Sequence, residues 1–196
     1  MLERMLLPKK HAIAILLKDH DTVKALFSRF ERAKSAAEKE RIIDQALMEL
    51  KIHASIEEDI FYPTVRQHVG ADVMHEADEE HHVARVLIAE LDGNGRGGDH
   101  RHAKFTVLAE SVRHHIKEEE GEMLPRAKAL DVDFEALGDE MRRRQALLRK
   151  QGVPDDAEHR MVAGARGRAD TPANAARRRK RAAPKPRRRA SRRSSR

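Results

Sequence analysis

The sequence of 196 residues contains no cysteine, no tryptophan and no long apolar run. The lack of cysteine excludes disulfide bonds, thiolate nucleophiles and thiolate metal ligands, so any bound metal must be held by nitrogen and oxygen atoms. No run approaches the roughly 20 apolar residues needed to span a bilayer, since the apolar patch at 12–17 leads directly into Lys18 and Asp19. We therefore expect a cytoplasmic protein.

Positive charge is concentrated at the C-terminal end. Residues 151–196 carry 13 Arg and 2 Lys against four acidic residues, a net charge of +11, which leaves −4 on the first 150 residues. Because this segment has four prolines and few apolar residues, it cannot offset the entropy lost on ordering, and we predict that it is disordered. Its arginine clusters are typical of arms that bind nucleic-acid phosphates without reading the sequence. The alternatives are a solubilising tail and one attracted to anionic lipid.

The first 150 residues show the periodicity of amphipathic helices, with apolar residues recurring at three- and four-residue steps. The predicted helices run from about residue 10 to 32, 37 to 62, 71 to 91 and 99 to 130, with a fifth from 134 to 150. Pro63 is expected to end the second helix. The prediction is an all-α protein, with an up-down four-helix bundle over residues 1–132, an additional helix in 133–150 and the basic tail over 151–196.

A repeat with an offset of 62 residues relates the second helix to the fourth. Residues 53–63 read HASIEEDIFYP and residues 115–125 read HIKEEEGEMLP, so both have His, three residues, Glu-Glu, four residues and Pro. The first and third helices are related in the same way, because His20 and His81 each follow an acidic residue at an offset of 61. Two αα-hairpins related like this predict a bundle with pseudo-twofold symmetry, in which each helix contributes one histidine at a comparable depth.

Helical geometry places one glutamate of each repeat beside its histidine. A residue four positions along a helix is turned by only about 40°, whereas one five positions along is turned by about 140°. Glu57 therefore shares a face with His53, and Glu119 with His115, while Glu58 and Glu120 should point to solvent. By the same geometry Tyr62 lies about 180° from His53 and is not expected to contribute to a redox site.

Two carboxylates in a bundle core are costly unless cations neutralise them. Carboxylate oxygens and imidazole nitrogens without sulfur suit iron or manganese, and zinc is possible. Two glutamates among four histidines predict two metal ions with bridging carboxylates. A ferritin-like site is excluded because it would use Glu-x-x-His on two helices and lone glutamates on two others, whereas this chain has His-x-x-x-Glu twice and lone histidines twice.

Four segments together resemble the hemerythrin-like, HHE cation-binding domains over about residues 10 to 130. The segments are KDHD at 18–21, HASIEEDIFYP at 53–63, EEHH at 79–82 and HIKEEEGEMLP at 115–125. The resemblance implies a non-haem di-iron site with two Fe ions. The ligands that it implies are His20, His53, Glu57, His81, His115 and Glu119, with Glu57 and Glu119 as the bridging carboxylates.

One position departs from the family's oxygen carriers. They have a second histidine four residues before the ligand of the third helix, and here that residue is Ala77. The departure implies open coordination positions on the metals, and favours binding or sensing of O2, NO or peroxide over dedicated oxygen carriage. A di-iron peroxidase or oxidase, an iron-centre repair protein and a nucleic-acid-associated protein acting through the basic tail stay open as alternatives.

Overall fold

The computed structural model describes residues 7–93 and 99–169. Its helical elements follow one another as α1 (Ala12–Arg32), α2 (Ala36–Ile56), π1 (Glu57–Phe61), α3 (Tyr62–Val69), α4 (Ala71–Gly93), α5 (Asp99–Glu118), π2 (Glu119–Met123), α6 (Leu124–Lys128), α7 (Phe134–Gln151) and α8 (Ala157–Ala169). The elements α2, π1 and α3 follow one another without a break, as do α5, π2 and α6. The described chain is therefore all helical, as predicted, with four long helical rods and two further helices.

Side-chain caps fix where several helices begin. Ser35 accepts a hydrogen bond from the backbone N–H of Glu38 at the start of α2. Asp133 accepts from the N–H groups of Glu135 and Ala136 at the start of α7. These bonds satisfy donors that have no partner inside the helix. The rods pair as α1 with α2 and as α4 with α5, while α7 packs on both α1 and α2, and α8 packs on α4.

Buried apolar side chains form two clusters at different levels of the bundle. One contains Leu16, Phe61 and Met74, and the other contains Phe27 and Phe105 with their neighbours. Each long rod contributes residues to both clusters. Along each rod, the predicted histidine lies close to the point where the residues of one cluster give way to those of the other. The bundle therefore has a polar layer enclosed above and below by apolar packing.

The prediction that Pro63 ends the second helix is wrong. The rod continues through π1 into α3, and Pro63 lies in the first turn of α3. A proline in a regular helix lacks an N–H donor and its ring collides with the carbonyl four residues back. The wider π turn changes that spacing, and the matching Pro125 follows π2 in the same way.

The prediction that residues 151–196 are disordered is wrong for its first part. Residues 157–169 form α8, which packs on α4. This helix is anchored by buried Glu158, which lies 2.8 Å from His82 Nδ1, and by His159, which lies 3.0 Å from Asp92. Residues 170–196, with all the arginine clusters, lie outside the described residues. No helix in the described ranges is both long and apolar enough to cross a bilayer.

Candidate metal centre

Six side chains singled out by the sequence lie together in the polar layer. They are His20, His53, Glu57, His81, His115 and Glu119, and none is more than 7% exposed. One group comprises His20, His53, Glu57 and Glu119, and a second comprises Glu57, His81 and His115. The potential ligand atoms within each group lie within 4.8 Å of one another. Both clusters therefore fit a metal site, and Glu57 belongs to both.

The first group is built around the α1 and α2 histidines. Nε2 of His53 lies 3.1 Å from Oε1 of Glu57, and Nε2 of His20 lies 3.1 Å from Oε2 of Glu119. The rings of His20 and His53 meet edge to face with centroids 4.9 Å apart. Two imidazole nitrogens and one oxygen from each of two carboxylates thus face a common point.

The second group repeats this arrangement with the α4 and α5 histidines. Nε2 of His81 lies 3.4 Å from Oε2 of Glu57 and 3.2 Å from Nε2 of His115. The two rings also meet edge to face, with centroids 4.7 Å apart. Glu57 therefore directs one oxygen to each group, which is the arrangement a carboxylate bridging two cations requires. Glu119 Oε2 also lies near both halves, 3.7 Å from His115 Nε2.

The outer nitrogen of each histidine faces an acidic side chain. From Nδ1 to the carboxylate oxygen the distances are 3.0 Å for His20 to Glu120, 2.7 Å for His81 to Glu58, 2.8 Å for His115 to Glu80 and 3.8 Å for His53 to Asp19. The acids before the α1 and α4 histidines, Asp19 and Glu80, thus face the histidines of the neighbouring rods. The contacts of His20, His81 and His115 are hydrogen bonds, which fix ring orientation and leave Nε2 for a metal. Nδ1 of His53 has no hydrogen-bond partner.

Two basic residues complete the pseudo-twofold pattern. Lys24 donates to Glu120 at 2.9 Å, and Arg85 donates to Glu58. Each lies four residues after the histidine of its own helix, at the same offset in both halves. Arg85 also lies 3.4 Å from Glu158 of α8, so the C-terminal helix is linked through Arg85 and Glu58 to His81.

The prediction that Glu58 and Glu120 point to solvent is wrong. The side chain of Glu58 is 34% exposed and that of Glu120 is 24% exposed, and both contact histidines of the centre. The expectation assumed 100° per residue throughout, but both glutamates lie in π turns. A π turn takes about one residue more than an α turn, so the following side chains are turned back by roughly 100° relative to an α-helix.

Tyr62 also lies at the centre, contrary to the sequence expectation. Its hydroxyl donates to Oε1 of Glu119 at 3.0 Å and lies 3.1 Å from Nε2 of His81. The π turn again accounts for the difference, because Tyr62 follows π1 directly and its N–H bonds to the carbonyl of Glu57 five residues back. The residue at the matching position of the other half is Leu124, which is buried in the apolar core.

The charges of the centre shift its pKa values strongly. Burial is the largest single influence on the pKa of His53 and lowers it, but the charge of Glu57 and the contacts with Asp19 and Glu57 together outweigh burial and raise the pKa to about 9. Burial likewise lowers the pKa of His81, and hydrogen bonds to Glu57 and Glu58 raise it to about 10. The hydrogen bond from His20 is the main cause that lowers the pKa of Glu120 to about 2. The negative charge of the glutamates thus attracts protons to the imidazoles, and it would attract metal cations in the same way.

Buried polar atoms test whether these residues suit a metal. Among the described residues, the side-chain atoms without a hydrogen-bond partner include His20 Nε2, His53 Nε2, both oxygens of Glu57 and Oε2 of Glu119. A buried polar atom without a partner costs about 1–3 kcal/mol. These atoms all point into the same layer, and they are nitrogen and oxygen atoms of the kind that iron, manganese and zinc accept. The residues present therefore fit a metal pair.

Two cavities of different lining adjoin the centre. One, with a volume of about 30 Å³, is lined mainly by apolar side chains of α2, α4 and α5 and by His53, His81 and His115. The other, with a volume of about 60 Å³, lies between α4 and π2 beside Ala77 and is rich in glutamate. Ala77, the position where the oxygen carriers have a histidine, therefore borders open space next to His115 and Glu119.

Comparison with known proteins assigns the family. The model of the hemerythrin HHE cation-binding domain matches residues 11–127. The structure is similar to the crystal structure of a hemerythrin HHE cation-binding domain-containing protein of Mycobacterium kansasii, a homologue of Rv2633c, with a TM-score of 0.61 and 25% identity over 72% of this chain and 94% of that one. The chain belongs to the hemerythrin HHE cation-binding domain family, as the four sequence segments predicted.

Two curated relatives differ in how much of their length is matched. The uncharacterized protein Rv2633c of Mycobacterium tuberculosis is 27% identical over 143 residues, which cover 71% of this chain and 88% of that protein. A DNA nickase of Nostoc sp. is 24% identical over 106 residues, which cover 54% of this chain but only 30% of the nickase. The similarity to the nickase is thus limited to a minor part of that protein.

Proposed function

We propose that this protein binds two iron ions in the polar layer and uses them to bind or sense a small ligand such as O2, NO or peroxide. The observation that carries the proposal is the set of buried imidazole and carboxylate atoms that have no hydrogen-bond partner and converge on two groups. Replacing these groups by apolar residues would be expected in a bundle whose only requirement was stability. Their retention in two symmetric sets supports a role in binding cations.

Each half of the layer would hold one cation. His20 and His53 would bind the first, His81 and His115 the second, and Glu57 and Glu119 would bridge them. Bound iron would supply redox change and open coordination positions at the centre. The chain's own part is to orient three of the rings through Glu58, Glu80 and Glu120, and to exclude bulk water through the apolar clusters on either side.

The size and lining of the apolar cavity suit an uncharged small ligand. Its volume of about 30 Å³ compares with the roughly 10–15 Å³ that one water molecule needs, so it has room for a diatomic molecule and for little more. Ile88, Val112 and Ile116 are among the apolar side chains that line it. A ligand there would be next to the centre without displacing a charged side chain. Burial is the main cause that raises the pKa of Tyr62 well above its usual value. Tyr62 therefore stays protonated and can donate a hydrogen bond at the centre.

Metal analysis tests this proposal directly. Protein purified without chelators or a metal-binding tag should contain about two iron ions per chain, one for each group of ligand atoms. His53→Ala and Glu57→Gln should lose iron, whereas His68→Ala, which removes an exposed histidine of α3, should retain it. The ultraviolet and visible spectrum should change on addition of O2, NO or peroxide. Absence of iron from wild-type protein loaded anaerobically with Fe²⁺ would refute the proposal.

An enzymatic use of the same site predicts a further result. A di-iron peroxidase or oxidase would turn over in the presence of a reductant, and turnover would disappear in His53→Ala and in Glu119→Gln. A protein that only binds or senses would show a spectral change that is complete after one equivalent of ligand per centre. Steady-state consumption of peroxide or O2 distinguishes the two.

The charge of the tail favours a second candidate function, association with nucleic acid. The net charge of +11 on residues 151–196 is the observation in its favour. Such binding would use phosphate contacts and weaken steeply with salt. Deleting residues 170–196, which leaves α8 in place, should abolish retardation of DNA in a gel while leaving the iron content unchanged. Equal retardation by the truncated protein would refute this function.

A further inference from the structure

The glutamate-rich cavity between α4 and π2 adjoins the centre through His115 and Glu119. Glu76 and Glu80 contribute from α4, Glu118 from the end of α5, and Glu122 from π2. Glu76 and Glu122 are exposed, Glu80 and Glu118 are half-buried, and Glu119 at the inner wall is buried. Carboxylates therefore continue from solvent to the centre along one path.

A buried carboxylate oxygen without a hydrogen-bond partner lies at the inner end of this path. Oε2 of Glu119 has no hydrogen-bond partner in the described part of the chain, and the residue is 2% exposed. The same residue lines the cavity together with His115. This oxygen lies 3.1 Å from Nε2 of His20 and 3.7 Å from Nε2 of His115, so it faces the potential metal ligands of the centre. A cation at this point would neutralise a carboxylate whose burial is costly.

A second group of potential ligands lies at the outer end. Glu80, His114 and Glu118 present one nitrogen and two oxygens within 4.8 Å of one another. His114 Nε2 lies 3.1 Å from Glu118 and 3.7 Å from Oε1 of Glu80. The other oxygen of Glu80 faces Nδ1 of His115 at 2.8 Å. Glu80 thus belongs both to this outer group and to the surroundings of the buried centre.

We propose that the glutamate-rich cavity is the route by which divalent cations enter, with Glu80, His114 and Glu118 as an outer site that a cation occupies on the way to the centre. The proposal rests on the metal-binding function proposed above. A hydrated cation loses its water at high cost, and an apolar wall does not compensate that loss. The apolar cavity is unsuited to such an ion, whereas successive carboxylates replace water molecules one at a time. Fe²⁺ and Mn²⁺ accept this combination of oxygen and imidazole ligands.

Kinetics of metal uptake test the route without relying on activity. Metal-free protein is mixed with Co²⁺ in a stopped-flow instrument, and the rate is read from the visible absorption that Co²⁺ acquires on nitrogen and oxygen ligands. The double variant Glu76→Gln/Glu118→Gln should take up Co²⁺ at least about tenfold more slowly than the wild type. The reason is that an entrance lined with one sign of charge raises association rates by about 10- to 1,000-fold. The final amount bound at the centre should equal that of the wild type.

A matched variant controls for the loss of charge. Glu110→Gln/Glu140→Gln removes the same two charges from exposed positions away from the cavity, and should leave the rate within about twofold of the wild type because distant exposed charges are screened. His114→Ala tests the outer site separately and should also slow uptake. Equal rates in the cavity and control variants would overturn the route while leaving the proposed function intact. A wild type that binds no Co²⁺ or Fe²⁺ would overturn both.

Discussion

Gly138 lies in the middle of α7, where helix propensity alone predicts that alanine would stabilise the protein. The structure predicts the opposite, that Gly138→Ala lowers the free energy of unfolding. A Cβ atom built at this position would lie 1.8 Å from the carbonyl oxygen of Lys10 and 2.9 Å from the backbone nitrogen of Ala12. Real Cβ contacts essentially never fall below 3.0 Å. Gly138→Ala therefore requires α7 and the segment before α1 to separate by about 1.2 Å, and backbone atoms cannot rotate out of the way as a side chain can.

The magnitude follows from two opposing terms. Overpacking costs about 1–3 kcal/mol, and we take about 3 kcal/mol because backbone meets backbone, while alanine gains about 1 kcal/mol over glycine in a helix. The free energy of unfolding should fall by about 2 kcal/mol, which lowers the Tm of a chain of this size by about 4–8 °C. Thermal unfolding of the metal-free protein, followed by circular dichroism, measures it.

Gly121→Ala is the matched control. Gly121 lies in π2, and a Cβ there would have no heavy atom within 4 Å. This variant should unfold at the wild-type temperature or slightly above it. If Gly138→Ala is as stable as the wild type, the close approach of α7 to the start of α1 is refuted. The displacement should also move Gln145 away from Asp19, so slower or weaker metal binding is expected to accompany the lower Tm.

Three further predictions concern the centre and α8. Tyr62→Phe leaves Oε1 of Glu119 without its donor, so the metal-free protein should lose about 1.5–3 kcal/mol in chemical denaturation, and an unchanged midpoint would contradict that hydrogen bond. Burial lowers the pKa of His159, but Asp156 and Asp92 outweigh this and raise it, so its contribution to α8 docking is full below about pH 6.5 and is lost as the pH rises through the raised value. Amide exchange in α8, corrected for its intrinsic pH dependence, should therefore accelerate in alkaline solution. Lys51 also pairs with Asp92 and keeps that contact. Exchange that is equally slow in alkaline solution would refute the role of His159. Removing metal with a chelator should lower the Tm, since a cation that binds only the folded state adds about 2.7 kcal/mol at 100 times its Kd, and an unaltered Tm would contradict cations in the core.

The sequence was sufficient to predict the helical pairing and the six residues that converge in the core. Periodicity located the rods, and the four-residue spacing placed Glu57 beside His53 as the structure has it. These features depend on interactions within one helix or between helices that follow one another. Such local geometry repeats regularly enough to be extrapolated from spacing alone.

The features that sequence reasoning missed depend on two π turns. Each changes the angular position of the following residues, so Glu58, Glu120 and Tyr62 were placed on the wrong side of their rods. A signal was present, because each repeat has a proline inside what would otherwise be a continuous apolar pattern, at Pro63 and Pro125. A proline that the helix tolerates at the same point twice indicates altered turns on its N-terminal side.

The docking of α8 was missed for a different reason. Composition averaged over residues 151–196 is dominated by the arginine clusters, which conceal the anchoring residues at its beginning. Buried Glu158 and largely buried His159 hold α8 through partners on α4 that are distant in sequence. Ion pairs of this kind depend on the tertiary arrangement, and a local compositional average does not contain them.

Tyr62 has a consequence for how the centre fills. The offset that relates His53 to His115 relates Tyr62 to Leu124, so one internal copy presents a phenol where the other presents an alkyl chain. Tyr62 thereby makes the surroundings of the two groups of potential ligand atoms different. If each group binds one cation as proposed, the two cations would have different surroundings. A titration should then resolve two successive binding steps, which Tyr62→Phe should bring closer together.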